Sequence, residues 1–221
     1  MSVMSLLSKE NWRRWRERPY YHTLLLGAVA LLTGAAISIA DTATRSAIAE
    51  RRLEDLQVTL EQVIPAALHD NTLTKDTVTL RDGNREVIAY QARRGNQVQA
   101  VCYEVTAAGY GSTTMRIIIG VDRDGKLLGV RVTSHAETPG LGDKIERNRS
   151  NWILSFDGRS LGDPPPERWG VKKDGGIFDQ FTGATITPRA VVKAVKGGLE
   201  FFAAHRAQLL GEPSAITQAV N

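Results

Sequence analysis

Three threonines crowd one short stretch of the chain, DQFTGATITPRAVVKAV at residues 179–195: Thr182, Thr185 and Thr187, set around Gly183-Ala184. Hydroxyls beside a helix start can do two things. They can cap the helix by accepting hydrogen bonds from its free N–H groups, or one of them can carry an attached group. Thr187-Pro188 reads as an N-cap followed by proline at the first helical position. Val191, Val192, Val195, Leu199 and Phe202 then recur at three- and four-residue spacing and give the helix one buried face. Thr187 therefore has a structural role by itself. Thr185 lies two residues ahead of that cap, in a loop loosened by Gly183, with a hydroxyl to spare. A helix N-terminus offers unpaired N–H groups and about half a positive charge, so an anion attached to Thr185 would lie close to it. On the residues alone, a cap with loop hydroxyls and a phosphate-compatible site both stand.

A second loop, Glu137-Thr138-Pro139-Gly140-Leu141-Gly142, combines a tight-turn pair, Pro139-Gly140, with glycines that permit close backbone approach. On the residues alone Glu137 reads as a solvated surface carboxylate. His135 just before the loop and Trp169 after a triple proline read as structural residues. The sequence shows no Ser-His-Asp arrangement, no phosphate-binding P-loop and no metal-spaced His/Cys cluster. Cys102 is the single cysteine, which rules out an intramolecular disulfide, and it reads as a small buried hydrophobe.

These loops need elements to hold them. Residues 78–109 and 114–134 carry β-rich runs broken by Asp82-Gly83, Gly95-Asn96 and Asp124-Gly125, which predicts antiparallel strands. Strands over 114–121 and 127–134 would leave 135–142 as a loop off a strand end. A helix is expected over 143–152, and three consecutive prolines exclude regular structure at 164–166. Strands followed by flanking helices indicate an α+β class rather than alternating βαβ units.

The 221 residues carry a net charge of +4, but Lys9, Arg13, Arg14, Arg16 and Arg18 place most of it on the first 22 residues. The remainder is close to neutral, which argues against a nucleic-acid partner. Between Arg18 and Asp41 runs PYYHTLLLGAVALLTGAAISIA, without Asp, Glu, Lys or Arg. At about 1.5 Å per residue such a run crosses a bilayer core. Trp12, Trp15, Tyr20 and Tyr21 gather at its N-terminal side, and the basic residues before it favour a cytoplasmic N-terminus. A cleaved signal peptide is the other reading, with Ser38-Ile39-Ala40 as the cleavage site. The run exceeds the roughly 7–15 residues of a signal core, so an anchor is the expectation. Residues 41–72 keep helical spacing, with Asp41 or Thr42 as a cap and Pro65 as a kink, and read as a stalk or as the first helix of the fold.

The order Glu137-Thr138-Pro139-Gly140-Leu141-Gly142, then Asp179-Gln180-Phe181-Thr182-Gly183-Ala184-Thr185, behind an N-terminal apolar helix, resembles the G subunits of Rnf (Rsx) ion-translocating oxidoreductase complexes. The C subunit of the sodium-pumping NADH:quinone oxidoreductase is a related family, and membership of that pump is the alternative reading within the same chemistry. The D-x-x-[ST]-G-A-T signature implies that a flavin transferase moves FMN from FAD onto the threonine after Gly-Ala, here Thr185, as a phosphoester. Thr182 stands where many members have Ser and keeps the hydroxyl. The resemblance implies cofactor-binding roles for Thr182, Gly183, Ala184, Thr185, Glu137, Thr138, Leu141 and Gly142. It implies no catalytic residue and no metal ligand. The implied organisation is a cytoplasmic segment 1–18, a transmembrane helix 19–40, a juxtamembrane stalk 41–72, an FMN-binding domain 73–210 and a tail 211–221. The domain would be periplasmic, on the bacterial inner membrane. It would relay electrons among the A, B, C, D and E subunits of the complex, ion translocation being left to those partners. A cofactor-free scaffold protein is the reading from another class.

Overall fold

The computed structural model describes residues 19–83 and 85–212. The basic, Trp-containing segment 1–18 and the tail from 213 onward lie outside the described residues. The apolar run forms the first part of helix α1 (Pro19–Val63), which is long and apolar enough to cross a membrane. No new helix begins at Asp41 or Thr42. The Thr42 hydroxyl donates to the carbonyls of Ser38 and Ile39 at 3.0 and 2.9 Å, and Asp41 pairs with Arg45 one turn on. Both side chains are thus satisfied inside a continuing helix. α1 stops at Val63, where Pro65 lacks an N–H and its ring opposes the next turn. The part of α1 up to Arg52 is one compact unit, and Leu53–Asn221 is the other.

The second unit is built on a five-stranded antiparallel meander, in order β1 (Thr77–Asp82), β2 (Arg85–Arg94), β3 (Gln97–Ala108), β4 (Thr114–Asp122) and β5 (Leu127–Ser134). The expected turn at Asp124-Gly125 joins β4 to β5. There Asp122 Oδ1 accepts the N–H groups of Asp124 and Lys126 at 2.9 and 2.8 Å.

Alternation divides the strands into two apolar faces. One carries Tyr103, Met115, Ile117 and Ile119 and is covered by helix α2 (Ile186–Leu210) through Val191, Val192, Val195, Leu199 and Phe202. The other carries Ala92, Ala100, Cys102 and Ile118 and is covered by Leu60, Val63 and Ile64 at the end of α1, with Leu73. Full burial of each such Leu or Val is worth about 1.5–3 kcal/mol, so the last turns of α1 are part of the core. They fit because Gly120 and Gly129 face each other across β4 and β5. A Cβ on Gly120 would lie 2.6 Å from Val63 Cγ1, and one on Gly129 3.2 Å from Val63 Cα.

The architecture is the expected α+β arrangement of an apolar helix, an antiparallel sheet and flanking helices. One expected helix is missing. In place of a helix over 143–152 there are two 3-10 turns, Asp143–Ile145 and Trp152–Phe156. Ser150 Oγ donates to the Lys144 carbonyl at 2.7 Å and accepts the Trp152 N–H at 3.1 Å, so a side chain takes backbone groups that a helical ladder would use.

Candidate functional site

α2 begins at Ile186. Thr185 occupies the cap position with φ −67° and ψ −26°, and its side chain makes no capping bond. Thr187 is therefore not the N-cap. It is the second helical residue, it is buried, and its hydroxyl donates to Glu137 Oε2 at 2.5 Å. Pro188, the third helical residue, is tolerated there because first-turn N–H groups have no intrahelical acceptor. Thr185 is half-buried, and among the described residues its hydroxyl has no hydrogen-bond partner. The N–H groups of Ile186 and Thr187 open the helix beside it.

Two turns of the same kind lie against each other here. In the first, Leu141 N–H donates to the Thr138 carbonyl at 3.1 Å, with Pro139 second and Gly140 third at φ +79°. That is the residue pattern of a type II turn, which requires the left-handed region at the third position. In the second, Ala184 N–H donates to the Phe181 carbonyl at 3.1 Å, with Thr182 second and Gly183 third at φ +83°. A Cβ on Gly183 would stand 3.3 Å from Leu141 Cδ2. The structure thus brings Thr138, Leu141 and Gly142 together with Thr182, Gly183, Ala184 and Thr185, although some forty residues of chain separate the motifs.

Glu137 is neither solvated nor at the surface. It is only 7% exposed. Its Oε1 accepts the Tyr110 N–H at 3.0 Å, Oε2 accepts the Thr187 hydroxyl, and its own N–H donates to His135 Nδ1 at 3.1 Å. Because Nδ1 is an acceptor, the proton of a neutral His135 sits on Nε2, 2.7 Å from Glu146 Oε1. His135, at the strand end, is thus held through both ring nitrogens. The space around the Glu137 carboxylate is kept by glycines: a Cβ on Gly109 would lie 2.6 Å from Oε1, and one on Gly142 2.5 Å from Oε2. The close approach that Gly142 permits is filled by Glu137 and Thr187.

A third loop, Tyr110–Ser112, is therefore part of the site, and sequence reasoning missed it. The available signal was Gly109-Tyr110-Gly111 at a strand end. Tyr110, Leu141 and Ile186 are exposed at 68%, 43% and 53%, so each of the three converging segments presents one apolar side chain to solvent.

The loop before Thr182 is tied down from several sides. Trp152 Nε1 donates to the Asp179 carbonyl at 2.7 Å, and its ring meets Phe181 edge-on at 5.1 Å. Lys172 pairs with Asp179 at 2.6 Å, and Arg189 holds Asp174 with two bonds of 2.5 and 2.7 Å. Those bonds hold the Asp174 carboxyl below the usual carboxylate range. Trp169 packs with Phe156 and Phe178 and donates to the Pro164 carbonyl at 3.0 Å, so its role is packing. A groove of about 710 Å³ lies between α2 and strands β2 and β3, lined by Val87, Val105, Ala190, Lys193, Ala194 and Gly197 among others. Thr185 is not among the residues that line it.

A family model described as an FMN-binding domain matches residues 109–200, an interval that contains all three loops and the first half of α2. The G subunit of the ion-translocating oxidoreductase complex of Cereibacter sphaeroides is 51% identical to this chain over 199 residues, covering 90% of each. Its counterpart in Stutzerimonas stutzeri is 47% identical over 188 residues, 85% of this chain and 82% of that one. Among solved structures, Shewanella oneidensis NqrC is similar with a TM-score of 0.45 and 22% identity, over 66% of this chain and 73% of that chain.

Proposed function

Because this chain belongs to the family of G subunits of ion-translocating oxidoreductase complexes and carries an FMN-binding domain, we propose that it relays electrons within such a complex through FMN held as a phosphoester on Thr185. The observation that carries the covalent part is the Thr185 hydroxyl. It is half-buried at the start of a 25-residue helix, it makes no capping bond, and the turn ahead of it is fixed by Gly183. A phosphodiester there would bring one negative charge beside free N–H groups and the positive end of the helix dipole, an arrangement worth about 0.3–1 kcal/mol. FMN supplies the redox chemistry, and the protein's share is to hold the ring and tune its surroundings. Thr182, Gly183 and Ala184 shape the attachment turn, while Thr138, Leu141 and Gly142 form the turn against it.

Residues 19–40 are the membrane anchor in this reading, with a cytoplasmic N-terminus and the domain on the periplasmic side of a bacterial inner membrane. The partners are the A, B, C, D and E subunits, and a flavin transferase installs the cofactor. The test is expression with the transferase and export intact, followed by denaturing electrophoresis, flavin fluorescence of the band and peptide mass analysis, beside Thr185→Val. Fluorescence that survives denaturation, maps to the peptide containing Thr185 and disappears in the variant is the expected result. No adduct on the unaltered chain, with the transferase active on another acceptor, would overturn the covalent reading.

A further inference from the structure

We propose that Glu137 is a positioning residue for flavin attachment: through its bond to Thr187 it fixes the first turn of α2, and so the Thr185 hydroxyl, without touching the attached group. The inference rests on the covalent reading above and goes beyond it, because it takes Glu137 out of the set of groups that face the cofactor.

The carboxylate is turned inward, to the loop at 110–112 and to α2. Each oxygen already accepts one bond, from Tyr110 N–H and from Thr187 Oγ1, and the residue is 7% exposed. Gly109 and Gly142 close it in so tightly that a methyl on either would overlap its oxygens. Thr185, in contrast, has no hold of its own. Its hydroxyl is unbonded, and it follows a turn whose glycine sits in the left-handed region. Two positions on, Thr187 ties this end of α2 to the sheet side of the domain by a hydrogen bond to a charged acceptor, while Arg189 ties it to the loop at Asp174. Such bonds are about twice as strong as neutral ones. The backbone of Glu137 is oriented in turn by His135, which is held by Glu146. One buried carboxylate therefore ties together the loop at 110–112, the turn at 138–141 and the start of α2.

In the attachment step, Thr185 Oγ forms a bond to the flavin-bearing phosphorus of FAD, the bond from that phosphorus to the AMP oxygen breaks, AMP leaves, and the Thr185 proton passes to a base of the transferase. The acceptor oxygen must lie in line with the breaking bond. Misplacement of a reacting atom by about 1 Å costs roughly a hundredfold in rate. A group that only positions Thr185 should act on the turnover of attachment and leave recognition of the chain by the transferase alone.

The experiment uses the full chain in detergent, produced without transferase, with FAD and purified transferase added. Initial rates of flavin attachment are measured against chain concentration for the unaltered protein, Glu137→Ala, Thr187→Val, Thr187→Ser and the Glu137→Ala/Thr187→Val pair. Glu137→Ala and Thr187→Val are expected to lower kcat roughly ten- to a hundredfold at an unchanged KM for the chain. The double variant should be no slower than the slower single, because both changes remove one bond, and Thr187→Ser should keep the original rate. Attachment to the two single variants at the unaltered rate would overturn the proposal, as would a loss confined to KM or a Ser variant as slow as Val. If Glu137→Ala does not fold, the Val and Ser variants at position 187 decide the matter. Failure of the unaltered chain to accept flavin is a different result and removes the covalent reading itself.

Discussion

Gly142→Ala tests the packing around Glu137 without straining the backbone. Gly142 has φ −85° and ψ −19°, a conformation alanine adopts freely, so in the folded protein the substitution adds a methyl without backbone strain, against a gain of about 0.4–1 kcal/mol from the stiffer unfolded chain. That methyl would stand 2.5 Å from Glu137 Oε2, 2.9 Å from Glu137 Cβ and 3.1 Å from Thr187 Oγ1. Relief requires the Glu137 side chain to swing away from Thr187, and a hydrogen bond to a charged group contributes about 1.5–3 kcal/mol. Overpacking in a filled site costs about 1–3 kcal/mol. The two overlap, so the expected loss is about 3 kcal/mol, or roughly 6–12 °C in Tm for a domain of this size. The assay is thermal unfolding of the full chain in detergent, followed by tryptophan fluorescence, since Trp169 lies in the core and Trp152 is partly buried beside it. Gly140→Ala is the control. It meets nothing within 4 Å but sits at φ +79°, so it loses about 1–2 kcal/mol to the left-handed conformation with the Glu137 bond intact. A Gly142→Ala protein that melts within about a degree of the unaltered chain would refute the geometry assigned to Glu137 and Thr187.

Cys102 is fully buried and burial pushes its thiol far above the usual range, so it should not react with a disulfide reagent in the folded protein and should react fully once denaturant unfolds it. Asp174 carries a signed expectation for pH. Hydrogen bonding to Arg189 depresses its folded-state value, so its contribution is present above the ordinary carboxylate range, about pH 4, and is lost as pH falls through the lower folded value. The stability difference between the unaltered chain and Asp174→Asn should therefore be constant from neutral pH down to that range and vanish below it in acid unfolding curves. The pair is exposed, so the difference should be small.

What the sequence made legible was local. The Asp124-Gly125 hairpin, the apolar face of α2 and the Pro139-Gly140 turn each follow from residues within a few positions of one another, and each is found. The cap assignment failed because it treated Thr187 as a neighbour of the helix N–H groups alone. Its partner is fifty residues earlier, and nothing in local patterning marks a carboxylate that will be buried. The same limit applied to Glu137, whose environment is set by Gly109 and Tyr110 on a different strand end. The helix expected over 143–152 had acceptable propensity, yet Ser150 diverts its backbone. The unbroken α1 was hidden for a related reason: Asp41 and Thr42 look like a helix start but are equally at home in a helix interior when each finds a partner one turn away.

The facing glycines of β4 and β5 have a practical corollary for anyone wanting the domain in water. Trimming the chain back to the first strand would remove Leu60, Val63 and Ile64 and leave the cleft at Gly120 and Gly129 vacant, with Ala92, Ala100, Cys102 and Ile118 laid bare on one side of the sheet. An uncovered apolar sheet face of that kind promotes aggregation. A usable soluble fragment must therefore keep the last turns of the helix from about Leu53 onward, where the compact unit itself begins. The end of α1 doubles as a lid for the second core, and a cut made for solubility has to fall before Leu53.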